Sequence, residues 1–174
     1  LVKLIADYNS NDRPFLVKEI YVKAILLVLP LSIILSVLLY CKANFFAITV
    51  FKNEKLKIFF QITSYAIVPF VLLRINGAVF RGLKNIKLYS YTGNAGIYLV
   101  SIIIILFFGA NKYDSSITII SFCIAIFIVM LVSFLYIIKS TEIFQNLSKN
   151  MLNYKHILKF SFPMLLTSSM VLVI

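Results

Sequence analysis

Three cations stand close together in LLRINGAVFRGLKNIKLYS, residues 72 to 90: Arg74, Arg81 and Lys84, with Lys87 following and no acid among them. The planar guanidinium of arginine presents paired N–H donors that match a phosphate in a two-pronged fork, and lysine adds a compact positive charge. The chemistry on offer is recognition of an anion rather than bond making. Asn76, in the same stretch, can line the same site or make a polar contact between helices, and Asn94 offers the same two readings.

No other constellation in the chain supports a reaction. The acids Asp7, Asp12, Glu19, Glu54, Asp114 and Glu142 fall in loops or at the edges of apolar runs. There is no paired carboxylate, no cluster with metal-ligand spacing, no glycine-rich phosphate loop and no nucleophile beside a base. The sequence therefore predicts neither an enzyme nor a bound cofactor or metal. His156, the sole histidine, stands beside Lys155 as a surface residue. Cys41 and Cys123 lie in or beside apolar runs without a CxxC pattern; buried thiols are the plain reading, and a bridge between them stays open.

What must position the cations is a membrane. Of the 174 residues, 61% are hydrophobic and only 13% charged, against about a quarter charged in soluble chains. Isoleucine, leucine, valine and phenylalanine fall in long unbroken stretches, and a hydrocarbon core of ~30 Å takes about 20 apolar helical residues to cross. The sequence predicts an all-α integral membrane protein, a polytopic helical bundle. Four spans are complete: Ala24 to Cys41, Ile58 to Phe80, Leu88 to Ala110 and Ser115 to Ile138. A fifth begins near Phe160. The chain opens on Leu1 and ends inside the run FPMLLTSSMVLVI, as a piece of a longer protein is expected to do.

The second span carries the argument. Ended at Leu73 it would hold sixteen residues, roughly 24 Å of helix and too short for a ~30 Å core. Continued through Arg74 to Phe80 it reaches roughly 34 Å. Arg74 thus falls inside the helix, about two turns before Arg81, and the cluster after it is a loop. A charged side chain at the bilayer centre costs ~2.5 to 3.5 kcal/mol on insertion scales, so it is rarely idle. Arg74 faces a cavity, snorkels to the nearer surface, or pairs with another helix; helical side chains lean toward the helix N-terminus, which here is away from the nearer surface.

Lysine and arginine are unevenly shared between the two sides. One side holds Lys3, Arg13, Lys18, Lys23, Arg81, Lys84, Lys87, Lys139, Lys149, Lys155 and Lys159; the other holds Lys42, Lys52, Lys55, Lys57 and Lys112. The richer side is expected in the cytoplasm, which puts residues 1–23, 81–87 and 139–159 there. The net charge of +11 is thereby explained by topology rather than by nucleic acid, since no aromatic platforms interleave with the cations. Segment 139–159, KSTEIFQNLSKNMLNYKHILK, repeats Ile143, Phe144, Leu147, Met151, Leu152 and Leu158 at helical spacing and reads as an amphipathic linker on the inner membrane surface. The domain organisation is then 1–138 for four spans, 139–159 for the linker and 160–174 for the start of another helix. Pro30, Pro69 and Pro163 each interrupt an apolar run, as a fixed kink or a hinge. Gly77 and Gly82 read as points of close helix approach.

Two stretches bear a resemblance. AVFRGLKNIKLYSYTGN, with its Arg-Gly pair and short basic loop, and YKHILKFSFPMLLTSS, with Phe-Ser-x-Pro opening a helix, resemble the polysaccharide-biosynthesis or oligosaccharide-flippase family of the multidrug/oligosaccharidyl-lipid/polysaccharide exporter superfamily. IADYNSNDRP is similar to that family's cytoplasmic link before its third helix. The family often has glycine where Lys84 stands. The resemblance implies two similar helical bundles that alternate in access around a central cavity, with this chain holding the third to sixth helices and the start of the seventh. It implies translocation of lipid-diphosphate-linked oligosaccharide across the bacterial inner membrane for O-antigen, capsule or related lipopolysaccharide assembly. Membrane lipids, glycan polymerase and glycosyltransferases would be its partners. Arg74, Arg81, Lys84 and Asn76 would then be the substrate-binding residues, with Pro30, Pro69 and Pro163 as hinges. Two rival expectations stand beside it: a cation-coupled multidrug exporter of the same superfamily, and a non-transporting membrane scaffold for glycan assembly.

Overall fold

The computed structural model of the chain describes residues 1–10, 14–108 and 115–140. Arg13, Lys112, the 141–159 part of the linker, Pro163 and the fifth helix lie outside the described residues. Among those described there are helices and no strands: α1 (Val2–Ser10), α2 (Pro14–Cys41), α3 (Ala43–Phe45) running into a π-helical turn (Phe46–Val50), α4 (Leu56–Gly82), α5 (Ile86–Ser90) running into a second π-helical turn (Tyr91–Ala95), α6 (Gly96–Phe108) and α7 (Ser115–Ser140). Three of these are long and apolar enough to cross a bilayer: α2 over Leu16–Cys41, α4, and α7 over Ser116–Lys139. The chain is a multi-pass membrane protein.

Residues 58 to 80 do form one uninterrupted helix. At 27 residues, α4 extends roughly 40 Å, and Arg74 sits inside it. It is also the central helix, packed against α2 on one side and α7 on the other, with α1 across its C-terminal end.

The first span starts earlier than hydropathy indicated. Helix α2 begins at Pro14, a residue that loses nothing at a first helical position because its missing N–H would have no partner there. Charged residues from 18 to 23 are then carried within the helix. Glu19 and Lys23, one turn apart, close an ion pair at 2.6 Å, and Lys23 is buried. Pairing offsets the cost of burying either charge alone.

The third span departs from expectation more sharply. A single helix from Leu88 to Ala110 is not what forms. The chain breaks at Gly93, whose ψ of −127° is not helical, and the pieces on either side, Ile86–Gly93 and Gly96–Phe107, meet at 49°. Taken together they would make a fourth crossing. Beyond the bend α6 packs along α7, while α5 and its π turn stay against α4.

Two apolar clusters hold the bundle. One joins Leu4 and Ile5 of α1 to Val17, Ile20 and Tyr21 of α2, Val79 and Phe80 of α4 and Ile137 of α7. It brings the N-terminal end of α2 and the C-terminal ends of α4 and α7 together, and with them Lys3, Lys18, Lys23, Arg81 and Lys139. The other joins Ala66 and Leu73 of α4 to Ile97 of α6 and Ala125, Ile126 and Val129 of α7. Both cysteines are free, so no bridge links Cys41 to Cys123.

Candidate functional site: an arginine-lined cavity on helix α4

The 3.6-residue period gives α4 two faces of different character. Positions 74, 77, 78 and 81 recur at three- and four-residue steps and share one stripe; Arg74 and Arg81, seven apart, stand about 10 Å from each other along the axis. Both arginines line the same cavity, of about 200 Å³. Its opposite wall comes from Tyr89, Thr92 and Gly93 at the broken helix, and its end from Val2 of α1.

Both guanidinium groups are braced by rings. The Arg74 guanidinium carbon lies 4.7 Å from the centre of the Phe70 ring, and that of Arg81 lies 5.5 Å from the Tyr89 ring. Stacking of this kind fixes the plane of a guanidinium against the ring face. Phe70 is one turn N-terminal to Arg74, so the Arg74 side chain reaches away from the basic end of the helix.

Small residues let the walls approach. A methyl group on Gly77 would come within 3.2 Å of the Thr92 hydroxyl oxygen, and one on Gly82 within 2.6 Å of the Ile5 side chain. Thr92 itself is buried, and its hydroxyl donates to the Leu88 carbonyl at 2.9 Å, which keeps it from presenting an unsatisfied group to the helix it touches.

The turn after Gly82 fixes where Arg81 and Lys84 point. The Asn85 N–H donates to the Phe80 carbonyl at 2.9 Å and the Lys84 N–H to the Arg81 carbonyl at 3.1 Å. This is the six-to-one and five-to-two pattern that ends many helices. It requires a left-handed residue, and Lys84 supplies it with φ of 58°, in the place where glycine is usual. The Asn85 side chain then accepts from the Leu88 N–H at 3.2 Å and starts α5. Lys84 is exposed in this turn and does not line the cavity.

Asn76 lies on the other face. It is 1% exposed; its carbonyl accepts from the Tyr21 hydroxyl at 2.8 Å and its amide donates to the Ser133 hydroxyl at 2.8 Å. Ser133 in turn donates to the Met130 carbonyl at 2.8 Å. One side chain thereby ties α2, α4 and α7 together. Pro69 is buried in α4 and Pro30 faces outward from α2. The side chain of Asn94 lies outside the described residues.

A second, larger hollow adjoins the first. About 650 Å³ in volume, it runs between α4, α6 and α7 past Thr63, Ile67 and Phe70 on α4, Tyr98 on α6 and Phe122 on α7. Beyond the 49° bend at Gly93, α6 packs along α7 beside this hollow. Sequence reasoning named neither this cleft nor the aromatic partners of the arginines. Phe70 was within reach of it, being four residues before Arg74 and so a neighbour on the helix surface; Tyr89 is placed by the turn and has no local signal.

Compared with family models, with curated proteins and with solved structures, the chain has no match.

Proposed function

We propose that the chain is part of a transporter that moves lipid-diphosphate-linked oligosaccharide across the bacterial inner membrane for surface polysaccharide assembly, as the flippase-family resemblance implies. The supporting observation is that Arg74 and Arg81 share one stripe of a span-length helix and open into one cavity. Two guanidinium groups braced by aromatic rings suit a phosphorylated headgroup, which guanidinium matches with paired N–H donors. In this reading Arg81 and Lys84 draw the headgroup to the cytoplasmic mouth and Arg74 receives it deeper in the bundle. Asn76 contributes by holding α4 in place between α2 and α7. The four spans form most of one bundle of a two-bundle, alternating-access fold, with residues 160–174 starting the other. Glycan polymerase and glycosyltransferases supply and consume the cargo.

The test is complementation. In the full-length protein, Arg74→Gln is expected to abolish restoration of surface polysaccharide in a flippase-deficient strain while leaving the amount in the membrane unchanged. Polysaccharide at the parental level would remove Arg74 from the proposal.

One observation favours a second reading, the cation-coupled exporter. Glu19 is carried within a span-length helix, where a carboxylate can serve coupling. Its partner Lys23, at 2.6 Å, already neutralises it, which is why we place this reading second. Resistance to cationic dyes on expression, abolished by Glu19→Gln and with no change in surface glycans, would reverse the order.

A further inference from the structure

The cationic cavity and the apolar cleft are not separate features. Thr63, Ile67, Phe70, Arg74, Ala78 and Arg81 advance along α4 in steps of three and four, so the share of α4 in the linings of both hollows forms one stripe of the helix. Phe70 belongs to both parts: its ring lines the cleft and carries the Arg74 guanidinium. From Thr63 to Arg81 the stripe is roughly 27 Å long.

We infer that this stripe is a single amphipathic track for one phosphate-headed lipid, with Arg74 and Arg81 taking the head and the cleft beside Phe70 taking the first part of its hydrocarbon chain. Three features of the structure point to that occupant rather than to another protein segment. Among the described residues that line it, charge lies at one end of the track only, and it is positive. The arginines occupy the end of α4 that gathers Lys3, Lys18, Lys23 and Lys139, while the cleft lies about the middle of the helix. A lipid of the leaflet at the basic end has the same polarity, head at the surface and chain toward the midplane. Finally, the cleft wall is almost wholly apolar, with Ile67, Phe70, Phe122 and Ile126 along it, and so suits a saturated or prenyl chain that has no polar group to satisfy. The inference rests on the translocation reading for the kind of lipid, and on the stripe itself for the site.

The experiment uses the full-length chain in membranes with a photoreactive amino acid at Ile67, in the cleft, or at Tyr65, which is exposed on a different face of α4. Two radiolabelled probes share one chain: undecaprenyl diphosphate and the neutral alcohol undecaprenol. The track predicts that position 67 captures the diphosphate roughly tenfold better than the alcohol, the low end of what hydrogen bonds to a charged group contribute. Position 65 should not discriminate, and Arg74→Gln with Arg81→Gln should bring the two probes level at 67. Thr63, exposed on the same stripe, is the reporter if the Ile67 variant folds poorly. Equal capture of both probes at 63 or 67 in the parent would mean ordinary boundary lipid, and no capture of either would mean that another helix fills the cleft; both results overturn the track. Surface polysaccharide is scored in the same cells. Discriminating capture without any restoration of polysaccharide would leave the track standing and defeat the translocation reading; restoration without discrimination would do the reverse.

Discussion

Asn76 and Gly77 are neighbours in sequence, yet they belong to opposite regimes. On the Asn76 face, α4 is pressed between α2 and α7, the polar groups meet one another at 2.8 Å, and almost nothing is exposed. On the Gly77 face the helix carries two arginines beside a hollow, and contact with the neighbouring segment depends on the absence of a side chain. The first face holds the bundle together; the second is where we propose that a ligand sits. The contrast teaches that polarity inside a membrane helix is informative only together with its surroundings: the Asn76 amide is enclosed by its partners, whereas Arg74 and Arg81 stand at the edge of a cavity.

Substitutions on the two faces should therefore separate function from stability. The largest effect expected is functional. Arg74→Gln in the full-length protein should abolish surface polysaccharide in the complementation assay, with a thermal midpoint in detergent within a degree or two of the parent. A large fall in midpoint would assign Arg74 to packing and blur the distinction between the faces.

Next in size is the contact of Gly82 with Ile5. Gly82→Val forces α1 away from the end of α4 and should destabilise by about 1 to 3 kcal/mol, the usual cost of overpacking. Ile5→Ala in the same chain should recover part of that loss. Absence of recovery would show that α1 does not rest on Gly82.

Smaller again is the loss from Asn76→Ala. Interhelical hydrogen bonds in membranes average only about 0.6 kcal/mol and reach about 1.7, so two of them lost together should cost about 1 to 2 kcal/mol in a reversible unfolding titration. Tyr21→Phe should be non-additive with it in a double-mutant cycle. Additive losses would mean that the pair does not act as one tie.

The smallest effect has the opposite sign. Lys84→Gly relieves a left-handed lysine and should stabilise by up to about 1 kcal/mol, while removing a charge assigned to the cytoplasmic mouth. Raised stability with weakened polysaccharide export would locate the value of Lys84 in its charge; unchanged export would leave it a turn residue only.

Much of this arrangement was legible in the amino-acid order, for identifiable reasons. Helix α4 follows from length alone, because a span that ended at Leu73 could not reach across the bilayer. The basic end follows from the uneven distribution of lysine and arginine. The early start of α2 was obscured because hydropathy weighs Lys18, Glu19 and Lys23 one by one and takes no account of the pairing of Glu19 with Lys23 across one turn; Pro14 was the available clue. The break at Gly93 was obscured for a different reason. Glycine inside a helix costs only about 1 kcal/mol relative to alanine, so YTGNAG permits a bend without requiring one, and the long apolar runs around it suggest a straight span. Asn76 marks the limit of local reasoning. A polar contact between helices was one of two readings of it, the other being the anion site, but Tyr21 and Ser133 are 55 and 57 residues away, and only the packed bundle names them.

The most direct test of the two-faced helix is a cysteine scan of α4 in the full-length protein, with Cys41 and Cys123 replaced by serine and an aqueous thiol reagent as the probe. Reactivity is expected at 74, 78 and 81, slowed by added inorganic diphosphate, with 75, 76, 79 and 80 protected throughout. Reaction at 76 and 79 as fast as at 78, or no effect of diphosphate at any position on the arginine stripe, would contradict the account.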